Sequence, residues 1–171
     1  MRLYCVFKHV ATLAVMVLLL SASPAFAILQ KGQPAPPLNL VTTSGQPVTL
    51  ANYKGYVLVL DFFATWCMPC REAIPHMNSL TRKYGKQGLQ VLGMSVDDSG
   101  DKAAVKSFIS ERKIAYPVAI TSEELQADYG LRSVPTLFII SKKGIVAEKY
   151  QGYSDEVAKS METAIKRLLA E

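Results

Sequence analysis

Cysteine and histidine are scarce in this chain, whose 171 residues include three cysteines and two histidines. A structural zinc site needs four ligands, and beyond residue 27 these two residue types supply only Cys67, Cys70 and His76. A zinc-binding domain folded from one chain is therefore disfavoured, and we predict no metal site. Covalent haem attachment needs the pattern C-x-x-C-H, which is broken because Arg71 follows Cys70.

Strong charge imbalance and long apolar runs are missing as well. The formal net charge is +5, and loss of Arg2 and Lys8 would reduce it to +3. A surplus this small, spread along the chain, does not indicate nucleic-acid binding. The apolar stretch over residues 10–20 falls short of the ~20 residues that a membrane span needs. No repeat is present, so a single domain is the simplest organisation.

The N-terminus has the pattern of a secretory signal peptide. Arg2 and Lys8 form a basic start, residues 10–20 an apolar core, and Ala25-Phe26-Ala27 a small-x-small cleavage site. We expect a signal peptide over residues 1–27, cleaved after Ala27, and a domain over residues 28–171 in the periplasm or another exported location. Cleavage of 27 residues from 171 leaves 144, enough for one sizeable core. Retention of the signal as a membrane anchor stays open.

The two cysteines beyond the predicted signal peptide lie between a predicted strand and a predicted helix. The apolar run from Tyr56 to Phe62 predicts a buried strand, and Pro69 to Tyr84 predicts an amphipathic helix. Cys67 then stands at the mouth of the helix, where unpaired backbone N–H groups and the helix dipole favour a thiolate. Cys70, one turn further, can attack a mixed disulfide formed by Cys67. The pair is expected to cycle between dithiol and disulfide.

The remaining pattern predicts an α/β fold with a mixed central sheet flanked by helices. A hairpin over residues 38–50 precedes the central strand, and the later order is helix, strand, helix, strand, helix, strand, strand, helix. Thr121-x-x-Glu124 reads as the capping box of the third helix, and Ser154 as the cap of the last. Asp97 and Asp98 follow a strand without a third carboxylate at useful spacing, so we expect a solvated loop there.

Three motifs together resemble the thioredoxin superfamily. They are the segment Trp66 to Cys70, the segment Tyr129 to Thr136, and Asp61 six residues before Cys67. The hairpin, the leader and a central αβ insertion over about residues 96–125 resemble the exported TlpA/ResA branch of thiol:disulfide oxidoreductases. The resemblance covers nearly all of residues 28–171, and it implies a thioredoxin fold with an N-terminal β-hairpin.

That resemblance also implies roles for particular residues. Pro135 would follow a cis peptide bond and face the disulfide, and Val134 would offer its backbone to an extended partner segment, with Thr136 and Trp66 beside it. A trans proline at an edge strand is the alternative. The Met68-Pro69 pair between the cysteines resembles the motif of reductants and would tune the redox potential.

Asp61 resembles the family's buried acid, which accepts the proton of the second cysteine. Independently of the resemblance, a carboxyl group inside an apolar strand should have a raised pKa, as a proton acceptor near neutral pH requires. The alternative is that Asp61 points outward at the strand end. Exported relatives often have a glutamate three residues after the second cysteine, but this chain has Ala73 there and a glutamate, Glu72, one residue earlier. We expect Glu72 to be an exposed acid in the first turns of the helix.

We therefore predict an exported enzyme that reduces disulfides in other proteins, apocytochrome c among the substrates implied by the resemblance. It would act as a monomer without a cofactor and receive electrons from a membrane thiol shuttle. A disulfide oxidase or isomerase and a Cu(I)-delivery module using the same cysteines are the alternatives. A peroxidase is disfavoured, because its cysteine needs a threonine three residues earlier and Thr65 lies two before Cys67.

Overall fold

The computed structural model describes residues 29–171, so the signal peptide predicted over residues 1–27 lies outside the described residues. Within the described part, no helix combines the length and apolar character that a membrane crossing requires.

Seven strands and four α-helices make up the described chain. The strands are β1 (Asn39–Val41), β2 (Pro47–Thr49), β3 (Val57–Phe63), β4 (Leu89–Ser95), β5 (Val118–Ile120), β6 (Thr136–Ile140) and β7 (Val146–Gln151). The helices are α1 (Met68–Tyr84), α2 (Lys102–Glu111), α3 (Glu123–Asp128) and α4 (Asp155–Ala170). The predicted element order is confirmed, with boundaries that differ by at most two residues.

The central sheet is mixed and has the strand order β5-β4-β3-β6-β7. Strands β3, β4 and β5 run parallel, whereas β6 is antiparallel to β3 and β7 to β6. All seven residues of β3 are buried, as expected for a central strand covered on both faces. The predicted hairpin forms a separate two-stranded sheet from β1 and β2.

Side chains alternate along β3 and divide the core into two clusters. Val57, Val59 and Phe63 pack on one side with Cys67 and Cys70 and with apolar residues of α1, α2 and α4, and we call this side the cysteine face. The other side carries the hairpin and α3, represented by Leu38, Val48, Leu125 and Tyr129. Helix α1 therefore holds both cysteines against the middle of the sheet.

The capping box predicted at Thr121 is wrong. Ser122 is the N-cap of α3, and its hydroxyl oxygen accepts the backbone N–H of Leu125 at 3.2 Å. The hydroxyl of Thr121 is occupied elsewhere, because it donates to the carbonyl of Ser95 at 2.9 Å. The predicted cap of α4 is confirmed, since Ser154 accepts the N–H of Val157.

Candidate active site

Cys67 and Cys70 form a disulfide at the start of α1, with their Cα atoms 5.3 Å apart. Cys67 is the N-cap residue, and its sulfur accepts the backbone N–H of Cys70 at 3.2 Å. One of the N–H groups that a helix start leaves unpaired is thus directed at a sulfur atom. Both cysteines are almost fully buried, so a partner can reach them only along the small exposed edge of Cys67.

The residues directly before and after Cys67 in the sequence have large apolar side chains that are exposed to solvent. Trp66 is 70% exposed and Met68 is 62% exposed. Pro69 is exposed as well and lies in the first turn of α1, where the missing N–H costs no hydrogen bond. Apolar surface next to a buried disulfide suits contact with another protein chain.

The segment before β6 is the second part of the site. The peptide bond between Val134 and Pro135 is cis, as the resemblance implies. Val134 is half-buried and packs against both core clusters, and its backbone N–H and C=O have no hydrogen-bond partner within residues 29–171. Thr136 is fully buried and its hydroxyl donates to the carbonyl of Ser133 at 2.7 Å, which tightens the bend.

Asp61 lies inside the protein, so the alternative of an outward-pointing carboxylate is wrong. The side chain is 1% exposed and, by strand alternation with Val59 and Phe63, it points to the cysteine face. Its Oδ2 accepts the hydroxyl of Tyr116 at 3.0 Å, whereas its Oδ1 has no partner among the described residues. Burial raises the pKa of Asp61 to about 6, against a lowering effect of the Tyr116 hydrogen bond.

Asp97 contradicts the expectation of a solvated loop. It is buried at the end of β4, and its carboxylate accepts the backbone N–H of Thr65 at 3.1 and 3.2 Å, the hydroxyl of Thr65 at 2.7 Å and the hydroxyl of Ser95 at 2.7 Å. These donors satisfy the charge that burial would otherwise penalise. Asp97 therefore fixes the loop that leads into Cys67, whereas Asp98 is exposed.

Arg71 closes the same loop from the other side. Its guanidinium donates to the carbonyl of Thr65 at 2.8 Å and lies over the ring of Phe108, 5.9 Å from the ring centre. Glu72 is exposed, in agreement with the prediction for this acid. The described residues contain no cluster of three or more His, Cys, Asp or Glu side chains arranged to hold a metal ion.

Comparison with known proteins agrees with this geometry. The model of the AhpC/TSA family matches residues 31–149, well over half of the chain. The chain belongs to this family. A thiol-disulfide oxidoreductase ResA from Bacillus cereus is 29% identical over 165 residues, covering 90% of this chain and 93% of its own. The ResA from Bacillus thuringiensis is 31% identical over 141 residues, covering 82% and 79%.

A solved structure supports both fold and activity. The protein assigned as thiol:disulfide interchange protein DsbE from Chlorobium tepidum is 32% identical, with a TM-score of 0.76, and the match covers 82% of this chain and 99% of that one. The thioredoxin fold is therefore confirmed. The family member described here is a thiol:disulfide oxidoreductase of the ResA/DsbE type, with Cys67 and Cys70 as its cysteine pair.

Because the pKa of Asp61 is raised, its contribution to the stability of the fold should decrease as pH rises. The folded protein binds this proton more tightly than the unfolded chain does, so Asp61 increasingly destabilises the fold as pH rises from about 4 to about 6. Asp61→Asn removes the charge and keeps an oxygen for Tyr116. We expect this variant to have the larger unfolding free energy above pH 6, by up to about 3 kcal/mol, and no advantage below about pH 4.

Urea unfolding of the disulfide form between pH 4 and 8 measures this difference. Asp98→Asn is the control, since it neutralises an exposed carboxylate and should change little at any pH. A constant difference between Asp61→Asn and the unsubstituted protein over the whole range would contradict the assignment.

The hydrogen bonds of Asp97 predict a large effect of its removal. Asp97→Ala leaves the N–H of Thr65 and two hydroxyls without their acceptor, which should lower the unfolding free energy by about 2 to 4 kcal/mol. Asp98→Ala changes the neighbouring exposed acid and should stay within about 0.5 kcal/mol. Urea unfolding at pH 7 compares the two, and equal effects would show that the loop does not depend on Asp97.

Proposed function

We propose that the protein is an exported reductase of disulfides in other proteins, with Cys67 as the attacking sulfur and Cys70 as the resolving one. The observation that carries the proposal is the position of Cys67 as the N-cap of α1, with the N–H of Cys70 directed at its sulfur. In the reduced protein the same N–H and the helix dipole would stabilise a Cys67 thiolate. The predicted signal peptide supports export.

The first step is attack of the Cys67 thiolate on a disulfide of the partner. A bond forms between Cys67 Sγ and one partner sulfur, the partner's S–S bond breaks, and the second partner sulfur leaves as a thiolate. The electron pair comes from Cys67. Only the edge of Cys67 is exposed, which favours extended segments that can approach the helix start closely.

The second step releases the partner and is assigned to Cys70 and Asp61. The Cys70 thiol gives its proton to the Asp61 carboxylate as its sulfur bonds to Cys67 Sγ, the mixed disulfide breaks, and the partner sulfur that was bonded to Cys67 leaves as a thiolate. The two partner thiolates take protons from solvent to become a dithiol, and Asp61 returns its proton to solvent. Asp61 suits this task because it is buried on the cysteine face and one of its oxygens has no partner in the described chain. A pKa of about 6 leaves it ionised at pH 7 but still a usable base.

The partner chain would bind beside the cis proline. The backbone groups of Val134, which have no partner within residues 29–171, would pair with a strand-like segment, and Pro135 would face the disulfide as the family resemblance implies. Trp66 and Met68 offer exposed apolar contact area next to Cys67. Backbone pairing of this kind is insensitive to partner sequence. We therefore propose a range of oxidised exported proteins as substrates, apocytochrome c among them.

The direction of exchange rests on the motif between the cysteines. Met68-Pro69 resembles reducing motifs, and an exported reductant needs electrons from a membrane thiol shuttle because its compartment offers no reducing pool. Equilibration with glutathione buffers tests the direction. A reduction potential near that of thioredoxin, about −270 mV, supports a reductant, and one near that of DsbA, about −120 mV, would make the protein an oxidase instead. We propose that the monomer is the active form.

Trapping of mixed disulfides tests the assignment of the two cysteines. In Cys70→Ser the first step proceeds and the second cannot, so we expect adducts with partner proteins that dithiothreitol releases. Cys67→Ser is the matched control, because it retains one thiol at the same site but lacks the attacking sulfur. Non-reducing electrophoresis of exported fractions, followed by mass spectrometry, identifies the trapped proteins.

The adducts should join a partner cysteine to Cys67, and both substrates and the electron donor should be among them. Adducts of equal abundance in the two variants, or adducts only in Cys67→Ser, would contradict the roles assigned here.

A further inference from the structure

Tyr116 lies two residues before β5 and is almost fully buried on the cysteine face. Its hydroxyl reaches Asp61 on β3, yet β4 separates β5 from β3 in the sheet. The phenol ring must therefore cross over β4 to make this 3.0 Å hydrogen bond. Such a crossing is possible only where the intervening strand presents no side chain.

Gly93 provides that gap. It is the residue of β4 that pairs directly with Asp61. A Cβ at this position would lie 3.2 Å from Cε2 of Tyr116, 3.1 Å from Cε1 of Phe63 and 2.9 Å from Cγ2 of Val118. Real Cβ atoms essentially never show a contact under 3.0 Å, such as the one to Val118, and the other two distances are tighter than nine in ten real Cβ contacts. The glycine is required by space and not by backbone conformation, and the space it leaves holds the ring of Tyr116.

The segment that carries Tyr116 is tied to the helix of the cysteines. Asn78 of α1 donates its amide N–H to the carbonyl of Lys113 at 2.9 Å and accepts the backbone N–H of Ala115 at 2.8 Å. The N–H of Gly93 donates to the carbonyl of Pro117 at 2.8 Å on the other side of Tyr116. Contacts to α1 and to β4 thus fix the backbone on both sides of Tyr116.

The hydrogen bond from Tyr116 leaves the two carboxylate oxygens of Asp61 in different environments. Oδ2 of Asp61 is occupied by Tyr116, and Oδ1 is buried without a partner in the described residues. An unpaired buried oxygen is costly, and such atoms concentrate where chemistry needs them. The pKa of Tyr153 is raised by burial first and then by the charges of Asp155 and Asp61, but no hydrogen bond joins Tyr153 to Asp61 within the described residues.

We propose that Tyr116 is a positioning residue for the exchange reaction, reaching across Gly93 to hold one oxygen of Asp61 so that the other oxygen takes the proton of Cys70. This inference rests on the proton transfer assigned to Asp61 under the proposed function. The phenol is a donor to the carboxylate, so it stabilises the ionised form and opposes the effect of burial. Without it the pKa of Asp61 would rise further, so a smaller fraction of the carboxylate would be ionised and able to act as a base.

Tyr116→Phe tests the inference, since it removes one oxygen atom and keeps the ring. Reduced protein mixed with an equimolar amount of Ellman's reagent releases one thionitrobenzoate when Cys67 attacks and a second when Cys70 resolves. The second release is first order and isolates the step that involves Asp61. We expect the acid limb of its pH profile to move up by about one pH unit, with a rate about fivefold lower at pH 6.

Tyr84→Phe is the matched control. Tyr84, the last residue of α1, is a buried tyrosine of the same core cluster, and its hydroxyl also donates to a carboxylate, that of Glu162 on α4. Loss of this hydroxyl should leave the midpoint of the second release unchanged. A purely structural effect of losing a buried hydroxyl would scale the rate at every pH and would appear in both variants.

The variant Asp61→Asn distinguishes a failure of the positioning role of Tyr116 from a failure of the proton transfer assigned to Asp61. If Asp61→Asn loses the acid limb of the pH profile and Tyr116→Phe moves that limb, the results support both the proton transfer to Asp61 and the positioning role of Tyr116. If Asp61→Asn loses the limb while the midpoint of Tyr116→Phe coincides with that of the unsubstituted protein, Tyr116 has no positioning role and the inference is overturned. If Asp61→Asn retains the limb, the proton transfer by Asp61 is overturned and the inference falls with it.

Discussion

The contact between the backbone N–H of Cys70 and the sulfur of Cys67 is the interaction on which this structure depends. It exists because a fully buried strand ends one short loop before a helix, so that the first turn of the helix faces the sulfur of its own N-cap residue. The rest of the fold fixes that junction. Strand β3 lies between β4 and β6, and Asp97 and Arg71 hold the loop through the two polar groups of the Thr65 backbone.

Two buried carboxylates near this junction differ in how their oxygens are used. Asp97 accepts hydrogen bonds on both oxygens from Thr65 and Ser95, which suits a residue that holds a loop. Within residues 29–171, Asp61 accepts one, from Tyr116, and its second oxygen has no partner. Burial raises the pKa of Asp61 to about 6, and this raised pKa makes Asp61 suitable as a proton acceptor near neutral pH.

Sequence periodicity predicted the fold well because the core strands and helices carry strong local signals. The run over residues 56–62, the C-x-x-C motif and the Ser154 cap each depend on neighbouring residues alone. Asp97 and Tyr116 were missed because their partners are distant: Thr65 lies 32 residues before Asp97, and Asp61 lies 55 residues before Tyr116. Only the parallel pairing of β3, β4 and β5 brings them together, and a glycine at position 93 was the one local hint of a close approach.

The activation of Cys67 by the helix start is tested most directly by alkylation of the reduced protein with iodoacetamide over a pH series, with mass spectrometry to separate the two cysteines. The same chain unfolded in urea gives the reference for a cysteine without a helix. Cys67 in the folded protein is expected to react with a midpoint between about pH 3.5 and 7.5, below that of the unfolded chain near pH 8.5. Coincident midpoints in the folded and unfolded protein would contradict this expectation.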